Sequence, residues 1–238
     1  MLHCRGKHGV GVMIKAVLFD LDETLLTRVA AIRAFIGDQY DRHHAALAGI
    51  ERERFVARFL ALEDGGHTPK TTVYPALVAE LAIGGLAPEA LLADYQAVYP
   101  RFVTLSAGAR ETILALRAHG MATGIITNGS TALQNGKIDA TGLRPLLDVV
   151  LISEAEGVEK PDPAIFERAL ARLGVNAGEA VFVGDSPATD VCGALGAGLQ
   201  AVWFHSTTEW PRDLAPVGQM VTEMSALGPV IDQMNNAQ

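Results

Sequence analysis

The sequence predicts an α/β fold built on a doubly wound, mostly parallel β-sheet. Five short, mostly apolar runs have the length and composition of strands that are buried on both faces; they are residues 15–20, 122–127, 149–153, 180–184 and 200–204. Amphipathic helical patterns precede the last four of them, at residues 107–119, 131–141, 163–173 and 187–197. Strands that alternate with such helices favour a parallel sheet covered by helices on both sides.

Composition and charge exclude several classes of protein. Hydrophobic residues make up 49% of the 238 positions and charged residues 19%, which excludes a disordered chain. The net charge of −8 gives no basic excess for nucleic acid, and no apolar run approaches the roughly 18 residues of a membrane span. The two cysteines, Cys4 and Cys192, lack metal-ligand spacing, which argues against structural zinc and favours a cytoplasmic location.

One long insertion interrupts the alternation directly after the first strand. Most of residues 28–103 has helical patterns, at 28–48, 51–62, 72–81 and 88–99. We therefore expect a disordered extension over 1–12, a core domain formed by 13–27 with 104–238, and an inserted helical domain over 28–103. An insertion at this point lies near the carboxyl ends of the strands, where parallel sheets bind ligands.

Two carboxylates, those of Asp20 and Asp22, follow the first strand. Placing two carboxylates at the end of a buried strand is costly unless another group compensates their charge. Aspartate is also common at helix N-termini and in turns, so this pair alone leaves a structural role open.

Further polar groups follow other predicted strands. Thr127–Gly129 ends the second apolar run with a hydroxyl, Lys160 lies in a turn before a helix, and Asp185 and Asp190 follow the fourth run. Because the carboxyl ends of parallel strands meet at one edge, we expect these groups to converge there. Carboxylates, one hydroxyl and one cation suit a magnesium ion and a phosphoryl group.

These motifs, in this order, resemble those of the haloacid dehalogenase-like (HAD) hydrolase superfamily. The matching elements are DxDxT at residues 20–24, a hydroxyl at Thr127, Lys160, and GDSxxxD at residues 184–190. The resemblance covers roughly residues 13–234 and is to the phosphatase type, in the branch with a helical cap after the first core strand. It implies a Rossmann-like core with an inserted helical cap domain.

The resemblance also implies roles for the acidic residues and the lysine. Asp20 is expected to be the nucleophile that forms an aspartyl-phosphate, and Asp22 the acid and base for the two half-reactions. Lys160 is expected to neutralise charge on Asp20 and the phosphoryl group. The expected cofactor is Mg²⁺, held by Asp20, the backbone carbonyl of Asp22 and Asp185, while Asp190 would orient Lys160 or a metal-bound water.

Phosphate oxygens are expected to bind the Thr127 hydroxyl, the backbone amides of Asn128 and Gly129, and Lys160. In the helical insertion, His67 and Lys70 lie on a predicted loop over 65–70, where substrate contact and simple exposure to solvent both remain open.

Structural alternatives remain open for two of the core residues. Lys160 could be a solvated surface lysine, and Asp190 could only stabilise the first turn of a helix. Ser186 is not in a GxSxG sequence, so a serine hydrolase is disfavoured.

The expected function is Mg²⁺-dependent hydrolysis of a small soluble phosphomonoester. The predicted partner is a small phosphorylated metabolite, with neither nucleic acid nor membrane, and the chain is expected to be a monomer or a homodimer. A β-phosphoglucomutase-like phosphotransferase is the main alternative, although Glu23 stands where that subgroup commonly has glycine. Haloacid dehalogenation needs neither Asp22 nor a metal, and a non-catalytic phospho-ligand-binding protein would not be expected to keep both Asp20 and Asp22.

Overall fold

A computed structural model of the chain describes residues 13–206, 209–212, 214 and 219–236. The extension predicted over residues 1–12 lies outside the described residues. The chain divides into two compact units, one formed by the residues up to Thr27 together with those from Leu105 onward, the other by Arg28–Thr104.

The first unit contains a six-stranded parallel sheet. The strands of the described residues are β1 (Ala16–Phe19), β2 (Leu26–Thr27), β3 (Thr104–Leu105), β4 (Ala122–Thr127), β5 (Val149–Ile152), β6 (Ala180–Gly184), β7 (Gln200–Phe204) and β8 (Met220–Val221). Their order in the sheet is β5-β4-β1-β6-β7-β8, with β2 and β3 in a separate two-stranded sheet. Every pair in the large sheet is parallel, which confirms the predicted fold class.

Helices flank this sheet in the first unit and form most of the second. The helices of the second unit are α1 (Val29–Arg42), α2 (Arg52–Glu63), α3 (Lys70–Glu80) and α4 (Pro88–Val98). Those of the first unit are α5 (Ala109–Ala118), α6 (Thr131–Ala140), α7 (Ser153–Glu156), α8 (Pro163–Leu173), α9 (Gly193–Gly196) and α10 (Leu227–Asn236). Among the described residues, no helix has the length and apolar character needed to cross a bilayer.

The central strand β1 is fully buried, and its register fixes where the polar residues emerge. Phe19 lies beside Ile125 of β4 and Val183 of β6. The next residue, Asp20, donates its backbone N–H to the Val183 carbonyl at 2.9 Å, so the chain stays paired up to the first carboxylate. The side chains that follow these strands therefore emerge at one edge of the sheet.

The helix predicted over residues 187–197 is instead a π-helical turn, Pro187–Cys192, followed by the short α9. The backbone N–H groups of Asp190 and Val191 both donate to the Ser186 carbonyl, which widens the turn by one residue. Such wide turns are frequent at functional sites. Here the turn carries Asp190.

Candidate active site

Lys160 lies buried between two carboxylates at the carboxyl edge of the sheet. Its Nζ is 2.6 Å from Asp20 Oδ1 and 2.7 Å from Asp190 Oδ1. The exposed fractions of Asp20, Lys160 and Asp190 are 8%, 3% and 1%, so the interpretation of Lys160 as a solvated surface lysine is wrong.

The position of Lys160 is fixed by Asn128, which directly follows β4. The Asn128 side-chain Nδ2 donates to the Lys160 carbonyl at 2.9 Å, and the Lys160 backbone N–H donates to Asn128 Oδ1 at 2.9 Å. Two hydrogen bonds from one planar amide fix the local backbone in both position and direction. Asn128 was predicted to contribute its backbone amide, and the role of its side chain was not foreseen.

Burial and neighbouring charges shift the pKa values of Asp20 and Lys160. The pKa of Asp20 is raised to about 7, because burial and the charges of Asp190 and Asp22 together outweigh the opposing effect of Lys160. Burial alone would lower the pKa of Lys160, but Asp190 and Asp20 outweigh it and hold that pKa above its ordinary value. Lys160 therefore stays charged, and a single ammonium is shared between two buried carboxylates.

Asp185 joins Asp20 and Asp190 to form a group with the composition of a cation site. One carboxylate oxygen from each residue lies within 4.8 Å of the other two. Gly184 makes this approach possible, because a Cβ at that position would overlap the Asp190 carboxylate. Carboxylate oxygens grouped in this way are the ligands that a hard divalent cation prefers. The donor set therefore fits a divalent metal ion.

The Asp22 carboxylate does not belong to this group of three and contacts α6 instead. Lys137 Nζ lies 2.9 Å from Asp22 Oδ1 and 2.7 Å from Oδ2, and Gln134 Nε2 donates to Oδ2 at 3.1 Å. Both α6 residues are buried. Sequence reasoning missed them, although two polar residues three apart, beside the buried Ile138, were a signal on an otherwise ordinary amphipathic helix.

Three of the residues predicted to bind phosphate, Thr127, Asn128 and Gly129, lie at the carboxyl end of β4, whose last residue is Thr127. The Thr127 hydroxyl accepts a 2.6 Å hydrogen bond from Gln134 Nε2. The Gly129 amide donates to the Ser153 hydroxyl at 3.0 Å, so a phosphate oxygen at this amide would have to displace that hydroxyl. Gly129 has a φ of +145°, which a residue with a side chain rarely adopts.

The two candidates in the helical unit have different surroundings. Lys70 is not on a loop as predicted, because α3 begins at this residue. Its Nζ lies 3.0 Å from Glu63 Oε2 and 5.8 Å from the centre of the Phe59 ring, which leaves little of the side chain exposed. His67 is exposed, with Nδ1 2.6 Å from the Asp64 carbonyl oxygen. Substrate contact by either residue stays a prediction.

Comparison with known proteins identifies the family. Residues 14–198 match the model of the haloacid dehalogenase-like hydrolase family. The chain is 34% identical to ribulose-1,5-bisphosphate 5-phosphatase of Halopiger xanaduensis over 210 residues, 83% of this chain and 87% of that protein. It is 30% identical to glyceraldehyde 3-phosphate phosphatase of Pyrococcus furiosus over 229 residues, 94% of this chain and 95% of the relative.

Solved structures give the same result. A HAD phosphatase from Thermococcus onnurineus superposes with a TM-score of 0.64 at 32% identity, covering 92% of this chain and 98% of the other. A 2-haloacid dehalogenase from Pseudomonas syringae pv. Tomato superposes with a TM-score of 0.64 at 28% identity, covering 93% and 100%. The chain belongs to the haloacid dehalogenase-like hydrolases.

Proposed function

We propose that the protein is a Mg²⁺-dependent phosphatase that hydrolyses a small soluble phosphomonoester through an aspartyl-phosphate on Asp20. The observation that carries this proposal is the buried Lys160 ammonium between Asp20 and Asp190, with Asp185 completing a group of three carboxylates. The two relatives compared above are named as phosphatases of phosphorylated sugars, which favours a substrate of that class.

The ion would be held by Asp20, Asp185 and the backbone carbonyl of Asp22, with Asp190 close by. When bound, it supplies positive charge that lets an anionic phosphate approach an anionic carboxylate. Lys160 contributes to the same charge balance from the protein side, because its ammonium stays charged in spite of burial. Its second contact, to Asp190, keeps the ammonium oriented while Asp20 reacts.

In the first half-reaction, an oxygen of Asp20 attacks phosphorus and the bond from phosphorus to the ester oxygen breaks. Asp22 gives a proton to that leaving oxygen, and the Thr127 hydroxyl and Lys160 bind the non-bridging oxygens as charge develops on them. In the second half-reaction, Asp22 takes a proton from water as the water oxygen attacks phosphorus, and the bond from phosphorus to the Asp20 oxygen breaks and releases phosphate. Asp20 is thereby restored as a carboxylate.

The helical unit, residues 28–104, is the proposed cap that selects the leaving group. It carries the two predicted contacts, His67 and Lys70. A cap that excludes water and contacts the leaving group would favour small substrates over macromolecules.

Phosphate release from a panel of sugar phosphates, nucleotides and p-nitrophenyl phosphate tests this function. We expect release with Mg²⁺ and none in EDTA. A 2-chloroalkanoate in the same panel tests dehalogenation, and an added sugar-phosphate acceptor tests phosphotransfer. Halide release without phosphate release would overturn the proposal, as would transfer to the acceptor in place of water.

A further inference from the structure

Helix α6 contacts the proposed acid–base residue through three hydrogen bonds. The Lys137 ammonium bridges both oxygens of the Asp22 carboxylate, at 2.9 and 2.7 Å, and the Gln134 amide adds a bond of 3.1 Å to the second oxygen. A carboxylate that is held at both oxygens by an ammonium, and at one of them also by an amide, has little freedom to rotate.

Both α6 side chains that contact Asp22 are buried, and burying polar side chains costs free energy of folding. Lys137 is 3% exposed and Gln134 is 1% exposed, on a helix whose neighbouring Ile138 is fully buried. A buried ammonium or amide costs stability unless its partners compensate it. An apolar residue in either position would fill the same space without that cost, but it would leave Asp22 without these bonds.

Gln134 also links Asp22 to the phosphate-binding hydroxyl. The same Nε2 donates to Thr127 Oγ1 at 2.6 Å, so one amide contacts both the proposed acid and the proposed phosphate ligand. The hydroxyl of threonine has one proton to donate. Among the residues that the structure describes, the Thr127 hydroxyl accepts from Gln134 and donates over a long distance, 3.5 Å, to the Asn128 carbonyl. Its proton can therefore turn to a phosphate oxygen.

We propose that Lys137 and Gln134 are positioning residues, which hold Asp22 in the orientation needed to give a proton to the leaving oxygen and to take one from the attacking water. This inference rests on the proposed phosphatase function. Orientation of an acid matters most where the leaving oxygen must be protonated. The α6 pair therefore determines how well the enzyme cleaves esters with poor, strongly basic leaving groups.

The test compares a series of phosphomonoesters, from p-nitrophenyl through phenyl to alkyl phosphates. For Lys137→Met, we expect kcat/KM to fall about 100-fold with an alkyl phosphate and less than about fivefold with p-nitrophenyl phosphate. For Gln134→Leu, kcat/KM should also fall more with an alkyl phosphate than with p-nitrophenyl phosphate, but the difference between the two substrates should be smaller. Lys15→Met is the matched control, because it removes an exposed lysine that pairs with Glu179, and its kcat/KM values should follow those of wild type.

A double-mutant comparison separates positioning from general damage. In an Asp22→Asn background, adding Lys137→Met should reduce kcat/KM by less than about threefold, because the group that Lys137 positions is already gone. Two results would overturn the inference, provided that wild type cleaves phosphomonoesters. One is an equal loss of kcat/KM for Lys137→Met with every ester. The other is a loss of kcat/KM in the Asp22→Asn background as large as the loss in the wild-type background. If Lys137→Met does not fold, Gln134→Leu decides by the same two criteria. A wild type that cleaves none of the esters overturns the proposed function itself.

Discussion

Replacement of Asp20 by Asn should stabilise the metal-free protein, increasingly so as the pH rises. The reason is the position of Asp20, where burial and the nearby charges of Asp190 and Asp22 outweigh the Lys160 ammonium and raise the pKa of Asp20 from 3.8 to about 7. An acid whose pKa is higher in the folded state than in the unfolded state makes its full contribution to stability below the unfolded pKa, where it is protonated in both states. That contribution is lost as the pH rises from the unfolded pKa through the folded one.

The magnitude follows from the size of this shift. A displacement of about three pKa units corresponds to about 4 kcal/mol between the protonated and the ionised extremes. The part that falls between pH 5 and pH 8 is about 2–3 kcal/mol. Asparagine is neutral at both pH values, so the free energy of unfolding of Asp20→Asn, minus that of wild type, should grow by this amount.

Urea unfolding in EDTA, followed by tryptophan fluorescence, measures this difference. Trp203 and Trp210 both lie in the unit that contains Asp20, so the signal reports on the relevant part of the chain. Asp139→Asn is a suitable control, since Asp139 is exposed and pairs only at the surface with Arg144. A difference between Asp20→Asn and wild type that stays constant from pH 5 to pH 8, or shrinks, would refute the reasoning.

Three further predictions concern the metal, the buried lysine and the cap. EDTA should abolish turnover and Mg²⁺ restore it, whereas Ca²⁺ should not, because its looser coordination misplaces the carboxylates; full activity in EDTA would contradict this. Lys160→Met removes the ammonium between two buried carboxylates, so we expect a loss of about 3–5 kcal/mol in the free energy of unfolding, measured by urea denaturation; an unchanged midpoint would contradict it. Lys70→Ala should raise KM for the preferred substrate more than for p-nitrophenyl phosphate, and equal kinetics for all substrates would place Lys70 away from the substrate.

The sheet could be predicted from the sequence because its strands are buried on both faces. Runs such as residues 122–127 and 180–184 match β4 and β6 residue for residue. Strands of a parallel sheet covered on both faces are almost entirely apolar, so the runs are visible in the sequence. The polar residues after these runs mark the carboxyl edge of the sheet. The order of polar residues along the chain was therefore enough to group Asp20, Lys160 and Asp190.

The side-chain pairings could not be predicted in the same way. An amphipathic pattern shows which face of α6 is buried, but it does not show that Lys137 on that face meets Asp22. The position of Lys70 was misjudged for a related reason. Gly65, Gly66 and Pro69 indicate a loop, but Pro69 directly precedes α3, and the side chain of Lys70 pairs with Glu63 seven residues back.

The formation of a phosphoryl bond to Asp20 is the central claim, and one measurement tests it most directly. Asp22→Asn keeps the nucleophile but loses the acid and base, so acetyl phosphate, whose leaving group needs little protonation, should phosphorylate it without rapid hydrolysis. Intact mass followed by peptide mapping should show one added phosphoryl group on Asp20, and none in Asp20→Asn. A phosphoryl group on Thr127 or Ser186, or one that persists in Asp20→Asn, would contradict the account.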